Sequence, residues 1–80
     1  MMDNPRAPAD AYFEMVALLG EERLFTRAPQ MGREVAIAGR DGVVTQWEIT
    51  DAEAMWLRPQ VLSNPNLRWV SERRYVRADK

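Results

Sequence analysis

The four residues Gly-Arg-Asp-Gly at positions 39–42 constrain the fold of this chain more than any other feature of its sequence. They separate two runs of strand-forming residues, Arg33 to Ala38 and Val43 to Thr50. An Asp-Gly pair between two such runs is typical of a tight antiparallel hairpin. The chain is therefore expected to contain at least two paired strands, with its other elements packed against that hairpin.

The alternation of side chains along these two strands indicates which face of the hairpin meets the core. The more apolar face of the second strand consists of Val43, Thr45, Trp47 and Ile49. In the first strand, Val35 and Ile37 are expected on that same face. Ala36 and Ala38 are expected to point outward. This pattern predicts a sheet with one face on the core and the other towards solvent.

A first helix is predicted before the hairpin, from about Ala9 to Leu19, with Gly20 placed as its C-cap. Its apolar residues recur at the spacing of one helical face. This inward stripe is expected to be Tyr12, Met15, Val16 and Leu19. The opposite face is acidic, so the helix should pack one side on the sheet and leave its carboxylates in water.

A second helix is predicted after the hairpin, because Thr50 followed three residues later by Glu53 forms a capping box. Its inward residues are expected to be Ala52, Met55 and Trp56. Pro59 lacks a backbone N–H and disfavours helical geometry at the residue before it. We therefore expect the regular helix to end near Leu57, with an irregular or kinked continuation through Val61 and Leu62.

A last strand is predicted from Leu67 to Arg77, with apolar and charged residues on both faces. We expect either a bulge near Ser71–Arg73 or partial cover of both faces. The element order is then α-β-β-α-β. This order predicts a small single α+β domain, a three-stranded antiparallel sheet with helices packed on one face. Residues 9–80 should form that domain, preceded by a flexible N-terminal lead-in at residues 1–8.

The composition excludes several kinds of chemistry. The 80 residues include no cysteine and no histidine, so disulfides, thiolate ligands, and Ser-His or Cys-His catalytic pairs have no residues to form them. No phosphate-binding loop or calcium-binding loop occurs. We therefore expect no metal, no cofactor and no enzymatic activity. The chain also has no signal segment and no run of about 18 apolar residues, which predicts a cytoplasmic protein without a membrane span.

The formal net charge of −1 conceals an uneven distribution. Residues 1–53 hold ten acidic residues and five arginines, whereas residues 54–80 hold six basic residues and two acidic ones. The basic excess therefore belongs to the last third of the chain. The last strand and the first helix are the two elements where such charge could meet a partner.

The strongest candidates for partner binding lie on the last strand: Trp69, Arg73, Arg74, Tyr75 and Arg77. Trp and Arg are enriched among the residues that dominate binding energy. Asp10 and Glu14 form a second, acidic candidate patch on the first helix. Each set also has a purely structural explanation, because charges protect ordinary edge strands from aggregation and solvate exposed helix faces.

The leading hypothesis is a non-catalytic protein-binding module, an inhibitor or adaptor that covers a surface of a larger macromolecular machine. Small domains of this kind are often encoded by phages or other mobile elements. The first alternative is nucleic-acid binding by the arginine-rich strand, with phosphates held by arginine and bases stacked on aromatic rings. The second is a structural subunit that self-associates through an open sheet edge.

Overall fold

The computed structural model describes residues 9–24 and 27–78, apart from the side chains of residues 23 and 24. The predicted flexible lead-in at residues 1–8 lies outside this part of the chain. The elements are helix α1 (Asp10–Leu19), a 3-10 turn (Glu21–Leu24), strand β1 (Met31–Gly39), strand β2 (Val44–Ile49), helix α2 (Asp51–Leu62) and strand β3 (Leu67–Val76). The predicted order α-β-β-α-β is confirmed.

The sheet is antiparallel, with strand order β2-β1-β3. Helix α1 packs over β1 and β2, and helix α2 packs over β1 and β3. Both helices share one core with one face of the sheet. The buried residues of that core are Ala11, Met15, Val35, Ile37, Ile49, Ala54, Leu57, Val61 and Leu67. The predicted α+β class and three-stranded sheet are confirmed, and β3 is an edge strand.

The hairpin forms where the sequence predicts it. Gly42 has φ +82°, and its N–H donates to the carbonyl of Gly39 at 3.0 Å. The carboxylate of Asp41 accepts from the backbone N–H of Val43 at 3.0 Å and from that of Asp10 at 3.2 Å. The turn therefore also positions the first residue of α1. Val43 itself lies before β2 and is exposed, so its predicted place on the core face is wrong.

Strand β1 is buried on both faces. Val35 and Ile37 lie in the core as predicted, but Ala36 and Ala38, which were expected to be exposed, are also buried. The reason is position in the sheet, because β1 is the central strand. Longer side chains of β2 and β3 cover small alanines between them. The exposure predicted for these two alanines was wrong.

Helix α1 has the predicted extent, and Gly20 adopts φ +99° at its C-cap. Its fully buried residues are Ala11 and Met15, whereas Tyr12, Val16 and Leu19 are half-buried. The inward face is thus rotated by about one residue from the predicted stripe. At Gly39 a Cβ would lie 2.7 Å from the backbone nitrogen of Ala11, so the helix approaches the strand closely there.

Helix α2 begins with the predicted capping box: the N–H of Glu53 donates to Thr50 Oγ1 at 3.0 Å, and the N–H of Thr50 donates to Glu53 Oε1 at 2.9 Å. The predicted end of the regular helix near Leu57 is wrong, since the expected continuation to Leu62 is itself helical through Pro59. An interior proline costs about 3 kcal/mol. Burial of Leu57 and Val61, each worth roughly 1.5–3 kcal/mol, offsets that cost.

Strand β3 contains the expected bulge, one residue earlier than predicted. Ala36 pairs with Ser71 and Ile37 pairs with Trp69, so Val70 is the extra residue. A bulge changes the alternation of the strand, because residues before and after it no longer keep a common period of two. This single insertion determines which face of the sheet each later side chain of β3 occupies.

Candidate protein-binding surface

The bulge divides the five predicted binding residues of β3 between the two faces of the sheet. Trp69 is paired with Ile37 and Arg74 with Arg33, which places both on the side of the helices. The other three, Arg73, Tyr75 and Arg77, follow the opposite alternation and lie towards the face that carries neither α1 nor α2. The predicted cluster is therefore not one continuous surface.

The three residues on the open face are engaged within the molecule. Arg73 Nε donates to Glu34 Oε1 at 2.6 Å, and the hydroxyl of Tyr75 donates to the carbonyl of Pro29 at 2.6 Å. Arg77 forms an ion pair with Glu48 and lies 5.8 Å from the centroid of the Tyr75 ring. The positive charge of this part of β3 is therefore largely neutralised by neighbouring strands.

Trp69 is half-buried against the core, and the guanidinium of Arg58 lies 5.8 Å from the centroid of its ring. It is not the exposed aromatic residue that the sequence suggested. Trp47, the other strand tryptophan, is also half-buried and stacks on Tyr12 with ring centroids 5.8 Å apart. Both side chains serve mainly to close the sides of the core.

The predicted acidic patch lies on α1, where Asp10 is exposed and Glu14 is half-buried. Glu14 Oε1 accepts from Asn64 Nδ2 at 3.2 Å, which links α1 to the end of α2. The two carboxylates therefore differ in role. Asp10 faces water, whereas Glu14 also helps to hold the two helices together.

The solvent side of α2 carries an exposed apolar stripe. We define the α2 outer face as Ala52, Met55, Trp56, Pro59 and Leu62, all of which are exposed. Met55 is 79% exposed, Trp56 41% and Leu62 62%. A surface helix ordinarily presents charged and polar residues to water. An exposed apolar stripe of this kind is typical of a site that binds another protein.

Sequence reasoning missed this surface because α2 carries two apolar stripes. One contains Ala54, Leu57 and Val61, and it packs on the sheet. The prediction instead placed Ala52, Met55 and Trp56 inward, and the structure contradicts all three. Both stripes have helical spacing, so periodicity alone does not rank them. Continuing the helix past Pro59 does not rank them either, because the inner stripe then gains Val61 and the outer stripe gains Leu62.

A cleft of about 440 Å³ adjoins the α2 outer face on the side of β3. Its lining includes Arg33, Asp51, Met55, Arg58, Pro59 and Glu72. Arg33 Nε donates to Asp51 Oδ1 at 3.1 Å, and Arg33 also pairs with Glu72. The hydrogen bond to Glu72, followed by that to Asp51, raises the pKa of Arg33. Arg33 is therefore a permanent cation at the floor of this cleft.

Two further arginines approach the same carboxylates more loosely. Arg58 Nη1 lies 3.9 Å from Glu72 Oε1, and Arg74 Nη2 lies 3.7 Å from Asp51 Oδ2. Both distances exceed the range of a hydrogen bond. Met55 and Pro59 belong to both the cleft and the α2 outer face, so the two features form one continuous surface.

Within residues 9–24 and 27–78, no group of three or more acidic side chains is arranged to hold a metal ion. The helices found there are also too short or too polar to cross a membrane. Comparisons of the chain with protein-family models, curated proteins and solved structures find no match.

Proposed function

We propose that the chain is a non-catalytic protein-binding module of the cytoplasm, an inhibitor or adaptor that covers a surface of a larger macromolecular machine. Its principal contact would be the α2 outer face. One observation carries this proposal: Met55, Trp56 and Leu62 are exposed on the solvent side of a helix whose opposite side already fills the core. Such a stripe lowers solubility unless another surface covers it.

The energy available from this face indicates the size of the interface. Fully burying a large apolar side chain yields roughly 1.5–3 kcal/mol. Since Trp56 is already partly covered, the three large side chains together supply about 5 kcal/mol. Association costs an estimated 4–15 kcal/mol. The α2 outer face would thus be the centre of a larger contact that includes adjoining residues.

The alternative of nucleic-acid binding has less support from the geometry. A phosphate-binding strand needs arginines whose charge is free for phosphates. Arg73 of β3 is paired with Glu34, and Arg77, directly after β3, is paired with Glu48, which leaves Arg68 and the loosely held Arg74. Self-association is the second alternative, since two copies could cover each other's α2 outer face.

The test starts with affinity capture from the cells that produce the protein, with and without nuclease. Wild type is compared with Met55→Glu, and Val43→Glu is the matched control because Val43 is an exposed apolar residue outside α2. The retained protein is then purified, and its dissociation constant for each variant is measured by calorimetry. Light scattering of each variant reports self-association.

We expect one protein to be retained equally with and without nuclease. Its affinity for Met55→Glu should be about 30-fold weaker than for wild type, because roughly 2 kcal/mol is lost at a central contact. Val43→Glu should bind like wild type. Equal binding by Met55→Glu would reject the α2 outer face. Retention that disappears with nuclease would favour nucleic-acid binding. A dimer dissociated by Met55→Glu would favour self-association.

A further inference from the structure

The cleft beside the α2 outer face has the charge balance of a site for carboxylates. Two arginines of its lining, Arg33 and Arg58, and a third beside it, Arg74, surround the carboxylates of Asp51 and Glu72. The cluster therefore carries one positive charge in excess. It also lies directly against the face that we propose as the binding surface, so a partner covering that face would reach it.

Arg58 and Arg74 are the two arginines with donors to spare. Their side chains are 57% and 73% exposed, and their nearest carboxylate oxygens lie at 3.9 and 3.7 Å. An exposed pair at such distances contributes little to stability. By contrast, Arg33 is held by hydrogen bonds to both carboxylates. Arg58 and Arg74 can therefore turn towards an incoming carboxylate while Arg33 stays hydrogen-bonded to Asp51 and Glu72.

Apolar side chains also adjoin this charged cluster. Met55 lines the cleft on the α2 side, and it is highly exposed. On the sheet, the pair Met31 and Val76 lies two residues beyond Arg33 and Arg74 on the same face, and both members of that pair are exposed. A ligand that pairs with the arginines would therefore also meet apolar side chains.

We infer that this cleft binds an acidic, apolar-flanked segment of the partner protein, with its carboxylates paired to Arg58 and Arg74. The inference rests on the proposed protein-binding function and specifies the partner's chemistry. Guanidinium groups bind carboxylates through paired hydrogen bonds, which are stronger than those between neutral groups. A nucleic acid fits the site less well, because one excess positive charge does not balance a chain of phosphates and the apolar neighbours offer phosphates no contact.

Three synthetic peptides of equal length test this inference, each with leucines flanking two variable positions. Those positions carry glutamate in the first peptide, glutamine in the second and lysine in the third. A short oligothymidylate forms a fourth arm. Binding is followed by NMR through the Met55 methyl group and the Nε–H signals of the arginines. The test variant combines Arg58→Gln with Arg74→Gln. Arg68→Gln is the control, because Arg68 is exposed on β3, the strand of Arg74, and has no ion pair among the described residues.

The glutamate peptide should bind at least about 10-fold more tightly than the glutamine peptide, a difference that follows from one to two charge-assisted hydrogen bonds. The double variant should abolish this preference, and Arg68→Gln should retain it. Equal binding of the glutamate and glutamine peptides would overturn the inference while leaving the α2 outer face as a binding site. Preference for the lysine peptide or the oligothymidylate would overturn it as well. If wild type shows no preference for glutamate but Met55→Glu abolishes binding to every peptide, the α2 outer face still binds the peptides. Only the acidic specificity would then be wrong.

Discussion

The orientation of α2 can be tested by comparing two alanine substitutions two residues apart. Leu57 is fully buried against the sheet, whereas Met55 is 79% exposed. Truncating a buried leucine to alanine costs about 2–5 kcal/mol, because apolar contacts are lost and a cavity remains. Truncating an exposed methionine normally changes stability by less than about 0.5 kcal/mol. The two variants should therefore differ by at least about 2 kcal/mol.

That difference is large compared with the total stability expected for this chain. A domain of this size is stable by only about 5 kcal/mol. Leu57→Ala should thus remove roughly half of the free energy of unfolding and lower the melting temperature by about 10 °C or more. Met55→Ala should melt within a few degrees of wild type. Urea denaturation followed by circular dichroism gives both free energies.

The opposite result would refute the assignment of the two stripes. If Met55→Ala were the more destabilising variant, Met55 would lie in the core and the α2 outer face would not exist. The proposed binding surface depends on this orientation. Trp56→Ala supplies a second check, since removal of a half-exposed tryptophan should destabilise the fold less than Leu57→Ala does.

Three further predictions concern stability. Gly32→Ala should destabilise the fold by several kcal/mol or prevent folding, because the added Cβ would lie 2.1 Å from the backbone oxygen of Ile49. Thermal melting measures the loss. Thr50→Ala should cost about 1 kcal/mol in urea denaturation through loss of the capping box, and Thr50→Ser should restore most of it. Hydrogen bonds from the backbone N–H of Val43, and then from that of Asp10, lower the pKa of Asp41. The stability that the Asp41 carboxylate contributes is therefore present above the ordinary aspartate pKa, and it is lost as the pH falls through the lower pKa of the folded state. Asp41→Asn should therefore be less stable than wild type at neutral pH, and the gap should close in acid denaturation measurements.

Part of the candidate site was accessible from the sequence and part was not. The concentration of arginines near the end of the chain was visible in the charge distribution. Which carboxylate each arginine meets was not, because Glu34, Glu48 and Asp51 lie far from Arg73, Arg77 and Arg74 along the chain. Only strand pairing brings such residues together. The prediction consequently treated as free several charges that the fold pairs.

Local chemistry accounts for the features that the sequence by itself determined. The turn at 39–42 and the capping box at Thr50 depend on residues within four positions of each other, so their signals survive without tertiary information. The order of helices and strands follows from the same local signals. The partners in these interactions are close together along the chain, and the interactions form in the structure as the sequence predicted.

Tertiary structure alone decided the orientation and length of α2 and the faces of β3. Both stripes of α2 satisfy helical periodicity, and burial of Leu57 and Val61 against the sheet selected one of them and carried the helix through Pro59. The extra residue Val70 sent Trp69 and Arg73 to opposite faces of the sheet. Such choices depend on which alternative buries more apolar surface in the whole molecule, and that quantity is defined only once the elements have packed together.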